Sequence, residues 1–236
     1  MPTYKKIWPC QSFFVILKED SLWNMLTKGN SYLQVAFNRS LDEVARMVGF
    51  LPRSDRILVE AGTSFIKRYG EWGIRQLVGW WGGYVVADLK CMDRGSTEVA
   101  MAKRAGASAA TCLGLAPLST IDHFVLECAS NGIDSMVDMM NVPFPFEILQ
   151  KLKKMPDIIV LHRGVEEGET KDLPLYEIHR IKGTYNTLIS VAGGEDYREV
   201  RRALFNDADI SVVWRAFYDE PAKTAELAAK FLEELR

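Results

Sequence analysis

Three charged residues in the stretch ADLKCMD at 87–93, namely Asp88, Lys90 and Asp93, stand where an apolar run meets a loop. Two carboxylates around one ammonium can hold a hard cation, keep a proton in reserve or stabilise a developing anion, because each charge shifts its neighbours' titration. Tyr84-Val85-Val86-Ala87 reads as a buried strand, and its period of two sends Asp88 and Lys90 to one face while Ala87 and Leu89 take the other. A solvated strand end closed by an ion pair would carry the same local sequence, so the rest of the chain must decide.

Other apolar runs end the same way. Glu60 closes ILVE, Asp138 closes SMVD and His162 closes IIVLH, each two positions after an apolar residue on the same strand face. Glu60 and Asp88 offer hard oxygen ligands suited to Mg²⁺, which keeps several waters and is often completed by substrate. His162 has the intrinsic pKa range of a general acid or base. Polar strand ends in general would account for one or two such residues but not for the set.

Positioning them requires a repeated framework. From residue 33 onward, short β-rich runs alternate with segments of helical period, the pattern of βα units around a parallel sheet. The pattern predicts strands at Leu33–Phe37, Ile57–Glu60, Tyr84–Lys90, Ala107–Leu113, Ser135–Met139, Ile158–His162, Leu188–Ala192 and Ile210–Val213. Helices are predicted at Leu41–Phe50, Ser96–Ala105, Ser119–Asn131, Phe146–Lys153, Tyr197–Phe205 and Pro221–Leu235. Eight such units most economically close into an α/β (β/α)8 TIM barrel over 33–236, although an open doubly wound sheet fits the pattern too. In a barrel, chemistry collects at the C-terminal strand ends, which is where the ionisable residues fall.

Two regions fit the repeat poorly. Residues 1–32, with Trp8, Phe13, Phe14 and Trp23, form an N-terminal extension that either covers the barrel or meets another subunit. Between the second and third strands, Trp72, Trp80 and Trp81 lie among Gly70, Gly73, Gly79, Gly82 and Gly83, and read as core or interface aromatics.

A net charge of -2 gives no electrostatic case for a nucleic-acid or membrane-surface partner, and leaves a small molecule or a second copy of the chain. The four cysteines form no CxxC pair and suggest no zinc site, and the apolar run Phe13–Leu17 is too short for a signal or a membrane span. A reducing, cytoplasmic setting is expected. His123 and His179 sit in helical sequence without catalytic neighbours, and the acidic residues Glu166, Glu167 and Glu169 read as a solvated loop or part of a lid.

The order of these motifs resembles the orotidine-monophosphate decarboxylase suprafamily, and more closely its branch of 3-hexulose-6-phosphate synthases and 3-keto-gulonate-phosphate decarboxylases. The resemblance spans about residues 33–235 and rests on LQVAFN at 33–38, VEAGTSFIKRYG at 59–70, ADLKCMDRGSTEVAMAKRAGA at 87–107, MVDMMNV at 136–142, VLHRGVEEG at 160–168, ISVAGGED at 189–196 and VVWRAF at 212–217. It implies that Glu60 and Asp88 ligate Mg²⁺, that Lys90 stabilises an enediolate, that His162 and Asp138 serve the proton, and that Asp93 reaches the active site of a partner in a homodimer. Asn38, Gly193, Gly194 and Arg215 would then bind a sugar-phosphate substrate.

Asp93 is followed by Arg94-Gly95-Ser96 rather than the isoleucine-proline segment of orotidylate decarboxylases, and Asp138 with Val165 resembles the synthase more than the keto-gulonate branch. The implied activity is that of an aldehyde-lyase joining formaldehyde and ribulose 5-phosphate through a metal-stabilised enediolate, with a carboxy-lyase as the second reading. Two departures point to other outcomes. Asn38 stands where the family has aspartate, and Trp214 stands where a glycine normally precedes Arg215, so the same chemistry on a different substrate, or a non-catalytic barrel, are the alternatives.

Overall fold

The computed structural model describes residues 25–162, 176–194, 197–213 and 221–234. Expectations placed on residues 1–24, on Val165 and the acidic residues at 166–169, and on Trp214 and Arg215 lie outside them. Among the described residues, eight strands close into a barrel, each hydrogen-bonded in parallel to the next, with the last returning to the first. In chain order the strands are β1 (Tyr32–Phe37), β2 (Ile57–Ala61), β3 (Val85–Cys91), β4 (Ala109–Leu113), β5 (Asp134–Asp138), β6 (Ile158–His162), β7 (Leu188–Gly194) and β8 (Ile210–Val213). The helices between and after them are α1 (Leu41–Phe50), α2 (Thr63–Trp81), α3 (Gly95–Ala105), α4 (Leu118–Asn131), α5 (Pro145–Leu149), α6 (Tyr176–Lys182), α7 (Tyr197–Phe205) and α8 (Pro221–Glu234). The barrel, not the open sheet, is the architecture.

Alternation along each strand feeds two cores. Leu33, Val35, Val59, Ala87, Val137 and Ile159 point outward and pack under the helices. Leu58, Val86, Met136, Ile158, Leu188 and Ile210 are among the residues that fill the barrel interior, as the side-chain layers of such barrels require. Parallel strands buried on both faces read as continuous apolar runs, which is why they were legible.

The N-terminal mouth is sealed. Leu26 packs on the inner cluster, and its N–H donates to Asp134 Oδ2 at 3.2 Å, the oxygen that also accepts from the Tyr84 hydroxyl at 2.5 Å. Thr27 N–H donates to the Tyr32 hydroxyl at 3.0 Å, so the residues just before β1 lie across the barrel floor.

Three elements depart from expectation. The glycine-rich stretch after β2 is the long helix α2, kinked at Gly70, where φ is 57°. Trp81 on it is buried, whereas Trp72 is exposed. Packing overrides the poor helix propensity of glycine here. Second, α5 stops at Leu149 rather than Lys153, because the Lys153 N–H is taken at 2.8 Å by Asp122 Oδ1 of α4 instead of a helical carbonyl. Third, β4 begins at Ala109, because the chain leaving α3 turns at Gly106 and spends the Ala107 N–H on the Ala102 carbonyl, a helix-terminating bond.

No helix among the described residues is long and apolar enough to cross a membrane. Cys91, Cys112 and Cys128 are buried free thiols.

Candidate active site at the C-terminal rim

Five of the residues singled out in the sequence meet at the C-terminal end of the barrel. Glu60 and Asp88 come from the neighbouring strands β2 and β3, whose register pairs Glu60 with Val86, so Asp88 sits on the same inner face one side chain further along. Lys90 is the penultimate residue of β3, while Asp138 ends β5 and His162 ends β6. Lys90 Nζ donates to Asp88 Oδ2 at 2.9 Å, to Asp88 Oδ1 at 3.1 Å and to Asp138 Oδ2 at 3.0 Å. His162 Nδ1 lies 2.8 Å from the same Asp138 oxygen, while Asp138 Oδ1 accepts from the Met140 N–H at 2.9 Å. The Asp138 carboxylate is thereby fixed from three directions.

Lys90 reaches the inner face through a break in the β3–β4 register. Between β3 and β4 the register passes from Ala87 opposite Ala110 to Cys91 opposite Cys112, leaving two more residues on β3 than on β4. Within this bulge Lys90 has φ 46°, a left-handed conformation that residues with a side chain rarely adopt. Ala87, Leu89 and Cys91 pack on the outer core while Lys90 returns its ammonium to the inward Asp88 carboxylate, so the alternation of faces survives the bulge.

The electrostatics follow from burial and pairing. Burial pushes the Glu60 carboxyl up to about 7, and the nearby Asp88 charge pushes the same way. Burial alone would lower Lys90, but Asp88, Asp138 and Glu60 more than offset it, and the ammonium is held above the ordinary lysine range. Burial likewise opposes the charge on Asp138 and on His162, yet their mutual bond wins: Asp138 is lowered and His162 is raised. An ammonium so held is a hydrogen-bond donor and not an amine nucleophile.

Glu60 and Asp88 suit a hard divalent cation. They are two buried oxygen donors on adjacent strands, the number Mg²⁺ takes when waters and substrate complete its shell. Their mutual repulsion is what a cation between them would relieve. Among the described residues no group of three or more His, Cys, Asp or Glu side chains is arranged as a full ligand set.

The remaining predicted residues are placed differently. Asp93 is exposed beyond β3, and its Oδ1 accepts from the Arg94 N–H at 2.8 Å. Asn38, half-buried after β1, turns Oδ1 toward the start of α2, where the Ser64 N–H donates at 3.3 Å. A Cβ on Gly62 would overlap that amide, so the close approach requires glycine. Gly193 and Gly194 end β7, where a register shift against β8 leaves one residue out of step at Gly193, with φ 104°. His123 and His179 are exposed helix residues away from the cluster.

Sequence reading missed three neutral partners. Gln34 on β1 donates through Nε2 to Glu60 Oε2 inside the barrel. Thr63 Oγ1 donates to Asp88 Oδ2 at 2.6 Å, and Thr111 Oγ1 on β4 donates to Asp88 Oδ1 at 2.8 Å. Gln34 and Thr111 were detectable as polar residues at inward positions of strands LQVAF and AATCL.

Comparison with known proteins gives a consistent picture. The model of the orotidine 5'-phosphate decarboxylase / HUMPS family matches residues 31–230. The "Bifunctional enzyme Fae/Hps" of Methanothrix thermoacetophila is 39% identical over 209 residues, which are 87% of this chain and 53% of that protein. The protein of the same name from Methanosarcina mazei is 39% identical over 210 residues, 86% of this chain and 52% of its own length. The chain thus spans about half the length of the curated relatives it matches. Among solved structures, 3-hexulose-6-phosphate synthase from Salmonella typhimurium superposes with a TM-score of 0.76 at 25% identity, covering 87% of this chain and all (100%) of that one.

Proposed function

This chain belongs to the orotidine 5'-phosphate decarboxylase / HUMPS family, and on that premise we propose that it is a Mg²⁺-dependent aldehyde-lyase of the 3-hexulose-6-phosphate synthase type, joining formaldehyde and ribulose 5-phosphate. The observation that carries the reading is the single Asp138 oxygen shared by Lys90 and His162. It couples a permanent cation to a titratable base at one point of the rim.

His162, with Nδ1 engaged by Asp138, presents Nε2 as the base that removes a proton from the carbon next to the substrate ketone. Lys90 donates to the enediolate oxygen as negative charge builds there, which is where fixed positive charge accelerates a reaction. The enediolate carbon then bonds to the formaldehyde carbon as the substrate ketone re-forms, and the oxygen that came from formaldehyde takes the proton that His162 holds. Glu60 and Asp88 are the side chains that would hold Mg²⁺, and the ion would supply Lewis-acid charge to the substrate oxygens. The substrate phosphate is assigned to the Gly193-Gly194 turn together with Arg215.

A homodimer belongs to this reading, with Asp93 serving the site of the neighbouring subunit. Its support is that Asp93 is exposed, and that Met92, Leu115 and Phe144 expose apolar surface in the loops following β3, β4 and β5 on the same rim. The free thiols Cys91, Cys112 and Cys128 suit a cytoplasmic setting.

The direct test is Mg²⁺-dependent formaldehyde consumption in the presence of ribulose 5-phosphate. Turnover should disappear on chelation and in Asp88→Ala. Turnover no faster than the Asp88→Ala control would reject the reaction.

A further inference from the structure

The Thr111 hydroxyl makes two bonds at once. Its oxygen accepts the Lys90 N–H at 2.9 Å, and its hydrogen goes to Asp88 Oδ1 at 2.8 Å. A hydroxyl is the smallest group that can accept and donate together, and at 4% exposure this one has little water to do the work instead. Lys90 needs such a partner, because the bulge between Ala87 and Cys91 takes its N–H out of regular register with β4 and sets its backbone at φ 46°. Buried backbone donors without an acceptor are rare, and a left-handed residue bearing a side chain persists only where its surroundings hold it.

We infer that Thr111 is a positioning residue for the rim chemistry, locking the bulged Lys90 backbone to the Asp88 carboxylate so that the ammonium and the proposed metal ligand keep one fixed relation. Valine at this position would match the shape of threonine and lose both bonds. Serine would keep both and lose only a methyl. The inference rests on the proposed reaction for its turnover readout, but its metal-binding readout does not need that reaction to be right.

Manganese(II) serves as the probe cation, with its binding to the metal-free protein followed by electron paramagnetic resonance. For Thr111→Val, Mn²⁺ affinity and kcat should each fall about 10- to 100-fold, the usual effect of losing a group that orients a ligand, while KM for ribulose 5-phosphate stays within about threefold. Thr111→Ser should recover both. If Thr111→Val does not fold, Thr111→Ala is compared with Thr111→Ser instead. Wild-type Mn²⁺ affinity in the valine or alanine variant, or a serine variant as impaired as either, overturns the inference. Should the wild-type protein fail to consume formaldehyde, the synthase reading falls, and the Mn²⁺ titrations still decide the role of Thr111.

Discussion

Lys90 Nζ and Asp138 Oδ2, 48 residues apart in the chain, meet at 3.0 Å across the mouth of the barrel. The Asp138 side chain is 3% exposed and that of Lys90 20%, so the pair sits where removing one partner is felt. Asp138→Asn should lower stability by about 1–3 kcal/mol, read by urea denaturation, because a charge-assisted acceptor is lost from a buried network. The kcat should fall by about 100-fold or more, the scale of a misplaced acid–base group. The acid limb of the kcat/KM profile should move to lower pH. Burial pulls the His162 pKa down, Asp138 holds it up, and without that charge the neutral imidazole is reached earlier.

Glu60 makes Mg²⁺ binding pH-dependent with a definite sign. Its carboxyl, raised from 4.5 to about 7 by burial and then by Asp88, keeps its proton in the folded protein over a range where the unfolded chain has lost it. Stability from this group is therefore full below the unfolded value, declines as pH rises from 4.5, and is lost once pH passes about 7. Mg²⁺ requires the ionised form, so the upward shift in melting temperature at saturating Mg²⁺ should grow between pH 5.5 and pH 8. In Glu60→Gln that growth should vanish. A Mg²⁺ shift independent of pH in the wild-type protein would remove Glu60 from the ligand pair.

Gln34 holds Glu60 from the interior side. Its Nε2 donates to the Glu60 carboxylate, while its Oε1 has no hydrogen-bond partner among the described residues. Gln34→Leu keeps roughly the same volume and deletes that donor, leaving Glu60 less able to ionise. Mg²⁺ affinity by calorimetry should drop about tenfold, with unchanged affinity expected if the contact is incidental.

Subunit complementation tests the proposed role of Asp93. Asp93→Ala and Lys90→Ala should each be inactive alone. If each site takes Lys90 from one chain and Asp93 from the other, refolding an equal mixture should recover roughly a quarter of wild-type activity, since half the dimers carry one intact site of two. No recovery in a mixture shown by sedimentation to contain dimers would place Asp93 and Lys90 in the same chain's site.

The strands and their charged ends were legible because buried parallel strands are rich in apolar residues, and Glu60, Asp138 and His162 break their runs at the last or next-to-last position. Lys90 was found for an incomplete reason. Period-two alternation placed it beside Asp88, but the contact depends on the bulge and the left-handed backbone, which a strand template does not contain. Helix α2 was hidden because its glycines suppress the local signal. Gly73 is there for packing: a Cβ on it would come within 2.5 Å of Tyr69 Cβ and 3.1 Å of the Phe65 ring. The resemblance points to Asn38 as a substrate residue, and its contact with the Ser64 N–H at the start of α2 depends on chain crossing that no local pattern encodes.

Asp134 and Asp138 open and close the same strand, on the same face, four positions apart. At the floor, Asp134 is raised by burial, its partners the Tyr84 hydroxyl and the Leu26 N–H, which offer no full positive charge. At the rim, Asp138 is lowered because two cationic side chains outweigh burial. One residue type on one short ribbon thus meets a fastening end and a reacting end about 13 Å apart, at strand spacing. The two ends can be altered separately, so the rim is open to new substrates without loosening the attachment beneath it.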